Sequence, residues 1–242
     1  MKVIAFIPAR YAATRFPYKL MQPLGNKTVI RHTYDNTVAT GLFDEVIVVT
    51  DDSLIYDEIN DNGGKAMMSK ATHESGSDRI AEAAASMDVD LIVNVQGDEP
   101  FVSKEPLENL IAVFKNDDNI LVASLMKAIT NDDDFSNANI VKLVCDKNKD
   151  ALYFSRAAIP FNRNNEGTSL AFEHIGIYAF RKKALLEFTT WPMGQLEEVE
   201  KLEQLRYLEN GIKIRMVETD VSMLKIDVPE DLVKAEDFLR KI

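Results

Sequence analysis

The stretch MKVIAFIPARYAATRFPYK, residues 1–19, decides how the fold of this chain is interpreted. Residues 3–7 are an apolar run rich in β-branched side chains, which is typical of a buried strand. Pro8 has no N–H to donate to a neighbouring strand, so we expect the strand to end there. The loop that follows carries three cationic side chains among small residues: Arg10, Arg15 and Lys19.

This basic loop has two interpretations. Open α/β sheets bind ligands at the carboxyl ends of their strands, and the loop would follow a buried first strand. Arginine binds phosphate through two parallel hydrogen bonds and lysine supplies a movable point charge, so three cations suit a polyphosphate. The alternative is a solvated loop with scattered charges. The residues that follow in the chain favour the phosphate-binding interpretation.

Strands and helices alternate through the first half of the chain. Apolar runs at residues 45–50 and 90–95 predict buried strands, and capping residues with glycine stops predict helices between them. Short connections of this kind are typical of βαβ units and a parallel sheet. Farther on, residues 140–145 and 151–155 predict a hairpin. The sequence therefore predicts an α/β fold with a mostly parallel central sheet and an antiparallel hairpin part.

The last part of the chain adds helices and short strands. Residues 196–209 carry apolar side chains at helical spacing and predict one amphipathic helix. Residues 213–217 and 224–228 predict short strands, and Pro229 opens the last helix with acidic residues behind it. No repeat, low-complexity tract or linker interrupts the sequence, so we expect a single domain over residues 1–242.

Composition argues against several classes of protein. The net charge of −11 does not suit non-specific binding to nucleic acid or anionic membranes, which needs a basic surface. The single cysteine, Cys145, excludes an intrachain disulfide and a cysteine-rich metal site, and its apolar neighbours favour a buried structural thiol. No apolar run approaches the roughly 20 residues of a membrane helix, and the N-terminus lacks a signal-peptide pattern. We therefore expect a cytoplasmic protein that binds neither nucleic acid nor membrane.

Polar residues at predicted strand and helix ends are candidate ligand-binding groups. Ser75, Ser77 or Asp78 can cap a helix, and with Gly76 among them the free N–H groups can also bind phosphate, ribose or a base edge. Gly97 permits a tight turn that places Asp98 over the carboxyl edge of the sheet. Asp98 is then either a turn residue or a ligand of nucleotide-bound Mg²⁺, and the basic loop favours the ligand. Asp227 is either a second metal carboxylate or a residue near a helix cap.

A second group of candidates lies farther along the chain. His174, Gly176 and Tyr178 alternate along a predicted strand, so they share one face. The histidine and tyrosine on that face either line a sugar-binding cavity or pack against each other. Glu203 and Gln204 lie outside the apolar face of the predicted helix and are either solvated or turned toward a cavity.

Common nucleotide-binding motifs are absent from the sequence. No glycine stands between the first predicted strand and Gly25, which excludes a G-x-G-x-x-G fingerprint after that strand. The chain also lacks G-x-x-x-x-G-K-[ST] and H-E-x-x-H, and its three histidines argue against a histidine metal site. A nucleotide held by arginine and lysine, with a strand-end aspartate for the metal, favours a nucleotidyltransferase over a dehydrogenase.

Seven segments occur in an order that resembles one protein family. They are PARYAATRFPYK, HESGSDRIAE, VNVQGDEP, ALYFSRAAIP, HIGIYAFR, LEQLR and IDVPEDL. Nearly end to end, they resemble the 3-deoxy-manno-octulosonate cytidylyltransferases, the CMP-Kdo synthetases. The front loop and VNVQGDEP are specific to this family and close sugar-acid relatives, and HIGIY with LEQLR narrows the match. The chain departs from the family pattern at Tyr18, where a glycine is expected.

The resemblance implies a Rossmann-like nucleotidyltransferase fold and a homodimer. It implies that CTP and Kdo give CMP-Kdo and pyrophosphate, with Mg²⁺ as cofactor, for lipopolysaccharide biosynthesis. Carried over to this sequence, the triphosphate would be held by Arg10, Arg15 and Lys19. The cytidine would be read by Ser75 and Gln96. The metal would be held by Asp98 and Asp227, which with Arg15 and Lys19 would be the catalytic residues. The Kdo site would be lined by Gln96, Arg156, His174, Tyr178, Glu203 and Gln204.

Two other functions stay open on the sequence. The same chemistry on a related acid sugar, such as 8-amino-Kdo or a sialic-acid-like substrate, would use the same basic loop and Asp98. A non-catalytic nucleotide-sugar binding protein is the other, although binding alone does not require two metal carboxylates.

Overall fold

The structure is a computed structural model, and it describes residues 1–11, 16–70, 73, 75–163, 171–221 and 223–241. The chain divides into two compact units, one formed by Met1–Glu105 with Ser222–Ile242 and the other by Pro106–Val221. The expectation of one domain over residues 1–242 stays a prediction.

The strands and helices follow one another along the chain with short connections. The strands are β1 (Val3–Ala9), β2 (Pro23–Leu24), β3 (Lys27–Thr28), β4 (Glu45–Thr50), β5 (Ala66–Met68), β6 (Leu91–Asn94), β7 (Val122–Ala128), β8 (Lys142–Cys145), β9 (Ala151–Ser155), β10 (Phe172–Arg181) and β11 (Ile214–Glu218). The helices are α1 (Val29–Ala39), α2 (Ser53–Asp61), α3 (Gly76–Ala85), α4 (Lys104–Asn116), α5 (Asp132–Ser136), α6 (Lys182–Phe188), α7 (Gln195–Glu200), α8 (Leu205–Glu209) and α9 (Pro229–Leu239). A short 3-10 turn covers Lys19–Met21.

The first unit is built on a parallel sheet. Strand β1 pairs in parallel with β4 on one side and β6 on the other, and β4 pairs in parallel with β5. All seven side chains of β1 are buried, because helices cover both faces of such sheets. The predicted strands at residues 45–50 and 90–95 are confirmed as β4 and β6.

Pro8 lies inside β1, so the expectation that it ends the strand is wrong. The carbonyl of Phe6 accepts a hydrogen bond from the Val95 N–H at 3.0 Å. Residue 8, two positions on, turns its backbone to the same side. Strand β6 ends at Asn94, so the missing N–H of Pro8 faces no strand partner there, and a proline is tolerated at such a position.

The second unit contains the antiparallel part of the fold. Strand β7 pairs antiparallel with β10 and parallel with β11. Strands β8 and β9 form an antiparallel hairpin, and β8 also pairs antiparallel with β10. The predicted hairpin at residues 140–145 and 151–155 is confirmed, and so is the prediction of a mixed α/β fold with parallel and antiparallel pairing.

Two predicted elements differ in the structure. The single helix predicted for residues 196–209 is two helices, because Lys201 takes a left-handed conformation, with φ of 53°, at the end of α7. The strand predicted for residues 224–228 is irregular. The Ile226 N–H there donates to the Asp98 carbonyl at 2.9 Å, so the segment is held against a turn and not along a strand. Within the described residues, no helix has the length and apolar character needed to cross a membrane.

Candidate active site

A cavity of about 260 Å³ opens at the carboxyl ends of β1 and β6 in the first unit. The two strands are parallel, so the residues that follow them meet at one edge of the sheet. Six residues predicted from the sequence line this cavity: Arg10, Lys19, Ser75, Gln96, Asp98 and Asp227. Arg15, the remaining member of the predicted triphosphate-binding set, lies outside the described residues.

Lys19 joins the two candidate metal carboxylates. Its ammonium nitrogen donates to Asp98 Oδ2 at 2.5 Å and to Asp227 Oδ1 at 3.2 Å. Asp98 is 8% exposed, so its charge is held where water screens little. The three side chains come from distant parts of the sequence. The fold therefore places a cation between two carboxylates at the carboxyl edge of the sheet.

This arrangement fits a magnesium ion. The described residues contain no cluster of three or more histidine, cysteine, aspartate or glutamate side chains suited to a metal. Mg²⁺ in nucleotide sites needs only one or two protein carboxylates, because water and phosphate oxygens complete its octahedron. Asp98 and Asp227 already share one cation, the Lys19 ammonium, which shows that a single positive charge can contact both.

Glu99 is buried beside this pair. It is 4% exposed, and its Oε2 accepts no hydrogen bond from a described residue. Burial, reinforced by the neighbouring charge of Asp98, raises the pKa of Glu99 to about 8, while Lys225 acts in the opposite direction. Burial therefore favours the protonated form of Glu99.

The start of α3 forms another wall of the cavity. The Ser75 hydroxyl accepts a hydrogen bond from the Asp78 N–H at 3.1 Å and donates to Asp78 Oδ2 at 2.8 Å. Ser75 is therefore the helix cap, one of its two predicted interpretations, and it also lines the cavity. A Cβ on Gly76 would lie 3.1 Å from the Pro8 ring, so glycine lets the helix start approach β1 closely.

Three further polar residues line the cavity that the sequence analysis did not select: His73, Arg79 and Lys225. Arg79 is 3% exposed, and its guanidinium donates to Asp51 at 2.8 Å and to the Ser69 hydroxyl at 2.8 Å. The sequence did carry a signal for Arg79. Side chains in a helix lean toward its N-terminus, so an arginine one turn into the predicted helix points back toward the helix start. Lys225 lies two residues before Asp227 and carried no such signal.

The candidate sugar-site residues of the second unit meet around His174. The Ser124 hydroxyl lies 2.9 Å from His174 Nε2, and the Gln204 amide nitrogen lies 3.5 Å from Nδ1. The ring of Tyr178 lies 5.3 Å from the imidazole. The packing of His174 against Tyr178 is thus confirmed, and polar groups surround the same ring.

The alternation predicted along this strand is interrupted. The pairing of β10 with β7 shifts register between Ile175 and Tyr178, and Gly176 lies within the irregularity. Bulges of this kind redirect side chains next to binding sites. Burial, followed by the charge of Glu203, raises the pKa of Tyr178 well above its usual value. The phenol therefore stays protonated, and Glu203 lies close enough to affect it.

Arg156 follows the end of β9 and is held by its neighbours. Its Nε donates to the Glu200 carbonyl at 3.0 Å and its Nη1 to the Ala138 carbonyl at 3.2 Å. The Nη2 group donates to no described residue. Phe154, two residues earlier, lies 5.0 Å from the His174 ring. The second unit therefore brings two other predicted side chains, Tyr178 and Gln204, to the His174 ring. Glu203 lies near Tyr178, and Arg156 follows Phe154 by two residues.

Comparison with known proteins adds to this geometry. A family model described as Cytidylyltransferase matches residues 4–214. The 3-deoxy-manno-octulosonate cytidylyltransferase of Flavobacterium johnsoniae is 60% identical over 244 residues, covering 100% of both chains. That of Christiangramia forsetii is 52% identical, covering 98% of this chain and 97% of its own.

A solved structure gives the same result. It is a CMP:2-keto-3-deoxy-manno-octonic acid synthetase complexed with CTP, and it is 35% identical to this chain. The match has a TM-score of 0.95 and covers 100% of this chain and 99% of the other. The cavity at the strand ends, the full-length relatives and the shared fold lead to one conclusion: this chain belongs to the family of 3-deoxy-manno-octulosonate cytidylyltransferases.

Proposed function

We propose that this chain transfers CMP from CTP to Kdo, giving CMP-Kdo and pyrophosphate, and so activates Kdo for lipopolysaccharide biosynthesis. Family membership over the whole chain supports this activity. The observation that carries it is the cavity that Arg10 and Lys19 line together with two carboxylates, Asp98 and Asp227. A binding protein for a nucleotide sugar would not need both carboxylates beside the cations.

The reaction is an in-line substitution at phosphorus. The anomeric hydroxyl oxygen of Kdo forms a bond to the α-phosphorus of CTP, and the bond from that phosphorus to the oxygen bridging to the β-phosphate breaks. Pyrophosphate leaves with the electron pair, and the hydroxyl proton passes to solvent. Such transfers depend on positioning and charge stabilisation more than on covalent help from the protein.

The residues of the first unit would bind the nucleotide. Arg10, Arg15 and Lys19 bind the triphosphate, and Ser75 with Gln96 reads the cytidine. Asp98 and Asp227 would hold Mg²⁺, whose charge would neutralise the triphosphate and favour attack at the α-phosphorus. In the structure, Lys19 contacts both of these carboxylates.

The residues of the second unit would bind the sugar acid. Arg156 pairs with the Kdo carboxylate, since a guanidinium matches a carboxylate in geometry and charge. Hydroxyl groups of the sugar bond to the polar side chains around the imidazole: His174, Tyr178, Glu203 and Gln204. Gln96 would contact the sugar as well as the nucleotide. A site built to hydrogen-bond a hydroxyl strongly rejects an analogue that lacks it.

Pyrophosphate release tests the activity and the substrates together. The assay supplies Mg²⁺ and compares Kdo, 8-amino-Kdo and N-acetylneuraminate as acceptors with CTP, and then ATP, GTP and UTP with Kdo. We expect release with CTP and Kdo. Release only with another sugar would keep the first-unit assignments and overturn those around His174. Tight CTP binding without release from any pair would show a binding protein and refute the enzyme.

We also infer that the chain forms a homodimer. Apolar side chains in the second unit support this, since Leu152 of β9 is 61% exposed and Val199 of α7 is 83% exposed. Large exposed apolar side chains are typical of surfaces that another protein covers. The cytoplasm stays the compartment that we expect from the sequence.

A further inference from the structure

Lys142 is a charged residue in the interior of the second unit. It is 0% exposed. Its ammonium donates to three backbone carbonyls: those of Asn137 at 2.8 Å, Ile140 at 2.8 Å and Arg156 at 2.5 Å. It forms no ion pair with a carboxylate of the described residues. The three donors of the ammonium are thus matched by three acceptors of the main chain.

Such a residue costs free energy that an apolar side chain would not. Moving an ammonium out of water is unfavourable unless its hydrogen bonds are replaced, and burial, with the nearby charge of Arg156, lowers the pKa of Lys142. A methionine would fill the same space without this cost. This cost suggests that the contacts of Lys142 with the main-chain carbonyls serve a purpose of their own. One of those carbonyls belongs to Arg156.

Nearly every polar group of Arg156 forms a hydrogen bond with a neighbouring residue. Its carbonyl accepts from Lys142, and its N–H donates to Glu200 Oε2 at 3.0 Å. Its Nε donates to the Glu200 carbonyl and its Nη1 to the Ala138 carbonyl. The other carboxylate oxygen of Glu200 accepts from the Ser155 hydroxyl at 2.6 Å. The main chain and two of the three guanidinium nitrogens are therefore held before any ligand arrives.

We propose that Lys142 and Glu200 are positioning residues for Arg156, and that they keep its Nη2 group available for the carboxylate of the sugar acid. The proposal rests on the proposed function, in which Arg156 binds that carboxylate. An arginine side chain has many rotamers, and binding an anion normally requires it to give them up. Fixing the guanidinium in advance removes this cost from the binding step.

Steady-state kinetics of Lys142→Met test the positioning role. We expect the KM for Kdo to rise at least tenfold, while the KM for CTP stays within twofold of the wild-type value. Lys147→Met, on the exposed turn after β8, is the matched control and should leave both constants unchanged. A fall in kcat alone, or an equal rise in the KM values for Kdo and CTP, would show a purely structural role and overturn the proposal.

A double-mutant cycle gives a readout that general destabilisation would not reproduce. If Lys142 acts through Arg156, adding Lys142→Met to Arg156→Ala should change kcat/KM for Kdo by less than twofold. Fully additive losses would contradict the proposal. Should Lys142→Met fail to fold, Glu200→Gln replaces it in the same cycle, since the amide keeps the size of the side chain and the main-chain carbonyl is untouched.

The same variants separate the proposed role of Arg156 in binding Kdo from the positioning role of Lys142 and Glu200. If Arg156→Ala leaves the KM for Kdo unchanged, the proposed role of Arg156 is wrong and the positioning role is wrong with it. If Arg156→Ala raises that KM but neither Lys142→Met nor Glu200→Gln does, only the positioning role is wrong.

Discussion

Tyr18 has a backbone conformation that is costly for a tyrosine. Its φ is 58°, in the left-handed region, and glycine is the residue that adopts this conformation readily. The family resemblance leads us to expect glycine at this position, and the positive φ of Tyr18 agrees with that expectation. The Tyr18 ring lies 4.3 Å from that of Tyr11, and this contact offsets part of the cost. The backbone path at Tyr18 matters because the next residue is Lys19, which contacts Asp98 and Asp227.

Substitutions at Tyr18 should separate the backbone path from the ring contact. Tyr18→Gly keeps the path and loses a ring contact worth about 0.5–1.5 kcal/mol, so we expect stability within about 1 kcal/mol of wild type and nearly normal turnover. Tyr18→Val places a β-branched residue at positive φ and should lower turnover at least tenfold. Melting temperature and kcat of both variants check this. A valine variant with normal kcat would show that the path is unimportant.

Asp98→Asn should abolish most of the transfer activity. The change removes the charge and keeps the size of a side chain that contacts Lys19, and the Asp98 carbonyl remains free to bond Ile226. We expect kcat with saturating Mg²⁺, CTP and Kdo to fall about 100-fold, the loss of roughly 2.7 kcal/mol of transition-state stabilisation. Asp118→Asn, at a side chain that is 99% exposed, is the control. Near-normal turnover of Asp98→Asn would refute the assignment.

Helices α7 and α8 are joined by a buried ion pair. Glu197 accepts two hydrogen bonds from Arg206, each at 2.6 Å, and the Arg206 guanidinium lies 4.1 Å from the centre of the Phe188 ring. Both side chains are less than 10% exposed. The pair therefore fixes the angle at which the chain continues after the left-handed Lys201, and α8 carries Gln204 at its start.

Glu197→Gln should destabilise the fold strongly. It leaves the buried charge of Arg206 without its carboxylate, and breaking such pairs costs about 3–5 kcal/mol. Glu187→Gln is the control, since its partner Lys183 is 3.6 Å away and both are exposed, where a pair contributes about 0–1 kcal/mol. Urea denaturation at pH 7 measures both. Equal free energies of unfolding for the two variants would show that the buried pair adds no stability.

The sequence predicted elements well where one signal dominated. Runs of β-branched residues gave β1, β4 and β6, because a strand buried on both faces has few alternatives. The break between α7 and α8 escaped prediction because lysine carries no helix-stop signal, and the left-handed Lys201 is imposed by its surroundings. The strand expected at residues 224–228 failed because local pattern does not reveal whether a neighbouring strand has free hydrogen-bonding groups.

The residues of the candidate site were also predicted where one local signal dominated. Arg10, Lys19, Ser75, Gln96, Asp98 and Asp227 were predicted and lie around one cavity. The contact of Lys19 with two carboxylates was not predicted, since a residue at position 19 meets one at position 227 only through the complete fold. Lys142 was also missed, because a lysine at the start of a strand looks like a solvent-exposed residue until its burial is known.

The proposed homodimer gives a prediction for the whole molecule. Light scattering after size exclusion should give twice the chain mass of 27.2 kDa. Introducing a charge with Val199→Lys should shift the protein toward the single-chain mass, whereas Lys183→Glu, at a side chain 82% exposed, should not. A wild-type mass of one chain at assay concentrations would contradict the homodimer.

The Lys19 bridge supplies Asp98 and Asp227 with a counter-ion from the chain itself. If these carboxylates hold Mg²⁺ as proposed, a bare divalent ion would compete with the ammonium for them. An ion that arrives with a triphosphate would bring phosphate oxygens as new partners for the ammonium. We therefore expect the metal to bind more tightly together with CTP than alone.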